Sequence, residues 1–100
     1  MSSQIKIQRD TISEFCCRNN ICRLALFGSV LRNDFRADSD VDVLVEFDPS
    51  VKIGLISLAG LEIDLSRLLG RKTELHTVKG LNPLFRNDVL NSAEVQYEQA

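Results

Sequence analysis

Hydrophobic and polar positions change their period several times along this 100-residue chain, and each change marks an element. Ile12, Phe15 and Cys16 fall at helical spacing, which predicts a helix over about 8–19 ending at Asn19-Asn20. Residues 23–27 (RLALF) then read as a short buried strand stopped by Gly28. Ser29 is placed to cap a short helix running to about Asp34, and residues 35–39 are turn-like. Residues 41–47 (VDVLVEF) alternate: Val41, Val43, Val45 and Phe47 to one side, Asp42, Leu44 and Glu46 to the other. After the breaker Asp48-Pro49-Ser50, Leu55, Leu58, Leu61, Leu65 and Leu68 recur at three- and four-residue steps, predicting a helix over about 54–69 with this stripe in the core. Gly70 suits a left-handed C-terminal cap. Residues 72–78 read as a third strand, and Pro83 opens a last helix to about Asn91. The order α-β-α-β-α-β-α predicts an α/β fold of mixed type, with a small sheet of three strands or slightly more covered by helices. Residues 94–100 are assigned to no element.

Composition narrows the function classes. The length suits one domain over 1–100, with an open site or a wall borrowed from a partner. A net charge of −2 gives no footprint for nucleic acid, so direct nucleic-acid binding is not expected. Three cysteines, Cys16, Cys17 and Cys22, form no even framework and no CxxC, so a reducing cytoplasm is the simpler reading and all three are expected as small core fillers. With a single histidine, His76, zinc is not expected, and that histidine reads as a surface or structural one. No apolar run reaches the length of a membrane span or a signal sequence.

The candidate chemistry sits in Gly28-Ser29 and, ten residues later, Asp40-Val41-Asp42. A glycine followed by a helix start offers close backbone approach and free N–H groups to a phosphate, the Ser29 hydroxyl adds a donor, and Arg32 lies one turn along. Asp40 and Asp42, two residues apart on a strand, are expected to aim at one spot, where a divalent cation would relieve their repulsion. Glu74 on the third strand is the candidate third acid, both metal ligand and general base. Rival motifs fail. An EF-hand starting at Asp38 would place Val43 at its obligatory glycine and Pro49 at its twelfth position. A P-loop would require Gly-Lys where Asn33-Asp34 stand.

GSx10DxD ending in SDVDVLVEF, together with LLGRKTEL and LNPLFRNDVL, resembles the minimal nucleotidyltransferase (MNT) family of the DNA polymerase β-like superfamily. The resemblance covers nearly the whole chain. It implies a polymerase-β-like core, Mg²⁺ as cofactor and ATP as substrate. It also places Ser39 with Gly28, Ser29 and Arg32 at the nucleotide, and Asp40, Asp42 and Glu74 at the metal and in catalysis. It further implies a helical HEPN-type toxin as partner in a hetero-oligomer, with this chain as the antitoxin that moves AMP to a toxin tyrosine. The family more often carries Asp where this chain has Glu74, one methylene longer, and often carries Gly where this chain has Asn33. The first departure motivates an alternative reading, an antitoxin that neutralises its partner by binding alone.

Overall fold

The computed structural model describes residues 8–31 and 40–99, the side chains of Ser29 and Val30 excepted. The chain begins with α1 (Arg9–Arg18) and β1 (Ile21–Phe27), followed by a four-residue 3-10 turn (Gly28–Leu31). Then come β2 (Val41–Phe47), α2 (Leu55–Leu69), β3 (Thr73–His76), α3 (Pro83–Ser92) and β4 (Glu94–Glu98). The mixed α/β class holds. The unassigned residues beyond 93 form a fourth strand, and the helix expected from Ser29 is a 3-10 turn over its described part. The expected turn at 35–39 lies outside the described residues.

The sheet order is β3-β2-β1-β4. β1 runs antiparallel to both its neighbours, whereas β2 and β3 are parallel. A parallel pair requires a crossover, and α2 supplies it. The alternation in VDVLVEF sorts as its period demands. Val41, Val43 and Val45 enter the main core with Ile12, Phe15 and Cys16 of α1, Leu24 and Leu26 of β1, Leu61 and Leu65 of α2, and Leu75 of β3. Leu44, on the other face, packs with Phe27 and Leu81 under Val78, Val89 and Ala93. That second face is thinly covered, because α3 has no buried residue.

Local chemistry sets the boundaries. Asn20 takes φ 58°, a left-handed value that asparagine tolerates, and Asn19 Nδ2 donates to the Phe15 carbonyl at 2.8 Å. Gly70 caps α2 at φ 70°, as its position predicts. Asn82 Oδ1 accepts from Leu84 N at 2.9 Å ahead of Pro83, a capped and proline-started helix. The stop after β2 is an Asx turn: Asp48 Oδ1 accepts from Ser50 N at 2.9 Å and Ser50 Oγ at 2.7 Å.

The outer edge of β3 is closed by α2. Thr73 N donates to Ser66 Oγ at 2.9 Å and Leu75 N donates to Glu62 Oε2 at 2.8 Å. Ser66 Oγ in turn donates to the Glu62 carbonyl at 2.7 Å. Two residues one helical turn apart thus satisfy the two outward N–H groups of an edge strand.

Two expectations about the core need correction. Of the cysteines only Cys16 is buried; Cys17 is exposed and Cys22 half-buried, because each follows a buried residue, Cys16 on α1 and Ile21 on β1, and so turns off the core face. The leucine stripe is core only at Leu61 and Leu65, with Leu58 packed against them. Leu55 is 84% exposed and Leu68 42%, in the first and last turns of α2, on either side of the stretch that Leu61 and Leu65 bury. None of the described helices is long and apolar enough to cross a membrane.

Candidate active site

The site grows from the ends of three adjacent strands on the thinly covered face. Phe27, the last residue of β1, is in register with Asp42, and Asp42 is in register with Glu74 across the parallel pair. Because side chains at i and i+2 share a face, Glu74 and His76 both project beside Asp42.

One atom in each of Asp42, Glu74 and His76 lies within 4.8 Å of the other two, the one such group among the described residues. His76 Nε2 lies 3.3 Å from Asp42 Oδ1 and 3.8 Å from Glu74 Oε2. All three side chains are partly exposed, so they are reachable from solvent. The hydrogen bond that His76 donates to Asp42 raises the His76 pKa above its ordinary value; partial burial opposes this, and the charges of Asp42, Glu74 and Glu62 add to the rise. The Phe27 ring meets the imidazole edge-on, with centroids 5.2 Å apart at 69°, and limits where the ring can turn.

Gly28 has a role the sequence indicated only in outline. Its φ is 78°, in the region that disfavours any β-carbon. A β-carbon built there would lie 2.6 Å from Asp42 Oδ2. The glycine therefore lets the Asp42 carboxylate rest against the backbone at the β1 terminus.

Asp40 behaves differently from expectation. It precedes β2, lies outside the Asp42–Glu74–His76 group, and faces the ammonium of Lys72, with Oδ2 3.9 Å from Nζ. Asp42 meets Glu74 through their register pairing across the parallel strands. Arg32 and Ser39 lie outside the described residues, as does the Ser29 side chain. His76 was read as a surface or structural residue, and the structure places it between two acids. The available signal was the Glu74-x-His76 alternation, which put both on one strand face.

Two carboxylates and an imidazole within this span suit a divalent cation: oxygens satisfy a hard ion such as Mg²⁺, and the open side leaves room for water or phosphate oxygens. The cradle at Gly28, which a β-carbon would fill, keeps the approach to Asp42 clear.

Similar proteins share this arrangement of elements. The Methanocaldococcus jannaschii protein called "Putative protein adenylyltransferase MJ0435" is 33% identical over 76 residues, which cover 76% of this chain and 80% of that one. The solved "Structure of putative minimal nucleotidyltransferase" superposes with a TM-score of 0.69 at 36% identity, over 85% of each chain. A chain of the solved "tri-AMPylated Shewanella oneidensis HEPN toxin in complex with MNT antitoxin" matches in fold, with a TM-score of 0.67 at 17% identity, over 91% of this chain and 70% of that one. The sequence pattern of the family described as "Nucleotidyltransferase domain" matches residues 9–95, so this chain belongs to that family and is a nucleotidyltransferase.

Proposed function

We propose that this domain transfers AMP from ATP, with Mg²⁺, to a tyrosine hydroxyl of a helical HEPN-type toxin in the cytoplasm, and so serves as the antitoxin of the pair. The observation that carries the reading is the register pair Asp42–Glu74 beside the bare backbone of Gly28. Two acids at a glycine-opened strand end are what a metal–triphosphate site requires. The adenylyltransferase names of its relatives and the tri-AMPylated toxin held by a protein of the same fold support the acceptor.

In this reading Asp42 and Glu74 hold the cation, and Asp40 joins them by leaving Lys72. Gly28, Ser29, Arg32 and Ser39 line the phosphates. When bound, Mg²⁺ supplies positive charge that offsets the charge building on the phosphates during transfer. Glu74 takes the proton of the acceptor hydroxyl. The acceptor oxygen forms a bond to the α-phosphorus as the bond from that phosphorus to the bridging oxygen of the β-phosphate breaks, and pyrophosphate leaves. Glu74 is only half-buried, which leaves it open to a hydroxyl arriving from a partner.

The test is label transfer from α-labelled ATP to a purified HEPN-type helical protein from the same organism. Wild type is expected to label it, Asp42→Ala to lose at least about a hundredfold in rate, and a tyrosine-lacking partner to stay unlabelled. Equal labelling by wild type and Asp42→Ala would overturn the proposal. One observation favours a second reading, neutralisation by binding alone: Asp40 and Asp42 already face Lys72 and His76. If Asp40→Ala with Asp42→Ala still protects cells from the toxin, binding suffices.

A further inference from the structure

The Asp42–Glu74 pair accounts for a metal, but it leaves His76 unexplained. The imidazole is not a distant neighbour. Its Nε2 lies 3.3 Å from Asp42 Oδ1 and 3.8 Å from Glu74 Oε2, with all three donor atoms inside 4.8 Å. A charge-assisted hydrogen bond draws its atoms to about 2.7–2.9 Å, so neither contact has closed to that length. An octahedral ion with bonds of about 2.1 Å sets adjacent donors about 3 Å apart; the His76–Asp42 spacing of 3.3 Å is near that, and the Glu74 oxygen, 3.8 Å from His76 Nε2, needs only a small side-chain turn to join. The backbone fixes the arrangement. Glu74 and His76 alternate on β3, Asp42 and Leu44 are their register partners on β2, and the edge contact with Phe27 restrains the ring. At Gly28 the missing β-carbon leaves room for Asp42 Oδ2, and so for the carboxylate whose Oδ1 faces His76.

We propose that His76 Nε2 is a protein ligand to the same divalent cation as Asp42 and Glu74, and that this nitrogen shifts the preference of the site from Mg²⁺ toward Mn²⁺. The inference rests on the reading that Asp42 and Glu74 hold a metal, and it adds a donor and a selectivity. Mg²⁺ gains little from imidazole and favours all-oxygen shells, whereas imidazole nitrogen binds the first-row transition ions well. A one-nitrogen, two-carboxylate set on two strands also leaves the remaining positions open for substrate oxygens.

The experiment uses the full chain with Mn²⁺ or Mg²⁺ alone, without nucleotide or partner, so it stands apart from AMP transfer. Pulsed electron paramagnetic resonance of the Mn²⁺-loaded protein is expected to show coupling to one imidazole nitrogen. His76→Gln and His76→Ala should abolish that coupling and weaken Mn²⁺ binding by at least about tenfold, while changing Mg²⁺ binding by less than about threefold. Wild-type protein that binds Mn²⁺ with no nitrogen coupling would overturn the proposal, as would protein that binds no Mn²⁺, or variants that weaken both ions equally. The wild-type spectrum decides the ligand question even if a variant folds poorly. Nitrogen coupling in a protein that transfers no AMP would leave the ligand assignment standing and overturn the transfer reading.

Discussion

A β-carbon at position 28 would stand 2.6 Å from Asp42 Oδ2, and the backbone there has φ 78°. The two facts act on different quantities. The dihedral strain of an alanine costs about 1–2 kcal/mol. The clash is with the far end of a side chain, which can turn away, so it adds little to that cost but displaces the carboxylate. Gly28→Ala is therefore expected to lower the unfolding free energy by about 1–2 kcal/mol in urea titration while lowering AMP transfer by about a hundredfold. Loss of activity no greater than the loss of folded protein would show that Asp42 is not held by this contact.

His76 gives a second residue-scale expectation. Its contact with Asp42 raises its pKa in the fold above the ordinary value of about 6.5. A raised folded pKa means that the native state holds the proton more tightly than the unfolded chain. The resulting stability is complete below about pH 6.5 and is lost as pH rises through the elevated folded value. In chelator, the urea midpoint of wild type should therefore exceed that of His76→Gln by more at pH 6 than at pH 9. A constant gap across that range would contradict the Asp42 contact as its source.

At the scale of elements, the device that holds Glu74 in register is the pair Glu62 and Ser66 on α2. They satisfy Leu75 N and Thr73 N, the two outward donors of β3. A buried donor left unpaired costs about 1–3 kcal/mol. Ser66→Ala is expected to destabilise the protein within that range and to speed hydrogen exchange at Thr73 above that of β1, which is flanked on both sides. Unchanged exchange at Thr73 would mean that water replaces the hydroxyl without consequence.

This closure also shows what could be read from the chain and what could not. The valine alternation of β2 and the left-handed glycine after α2 follow from local rules, and both appear as expected. β4 carries a short signal, Val95 and Tyr97 alternating with Glu94, Gln96 and Glu98, but five residues do not decide an element alone, and pairing to β1 does, as in the Arg23–Glu98 ion pair at 3.8 Å. The leucine period located α2 but not which leucines it buries, since only packing decides that Leu55 and Leu68 stay exposed. The Asp-x-Asp spacing located the acids. That Asp42 meets Glu74 and His76 depends on inter-strand register, which no spacing within one strand contains.

For the whole molecule, the site sets function against stability. Asp42 and Glu74 are neighbours across parallel strands, and His76 lies between them as the nearest compensating group. The fold thus gathers like charges on its less covered face, where α3 contributes no buried side chain. A ligand that binds only the folded arrangement offsets that repulsion by mass action. At ten times its dissociation constant a divalent cation adds about 1.4 kcal/mol, which for a domain of this size raises the melting temperature by roughly 6–10 °C. Mg²⁺ is expected to raise the melting temperature of the wild type by that amount and chelator to reverse it. At pH 9, where the His76–Asp42 contact no longer contributes, Asp42→Asn and Glu74→Gln should melt no lower than wild type in chelator, because each removes one of the repelling charges, and should gain little from Mg²⁺. If the cation instead stabilised both variants as it does the wild type, the acids on β2 and β3 would not be its ligands. Variants melting several degrees below wild type in chelator at that pH would show that the carboxylates support the fold rather than strain it.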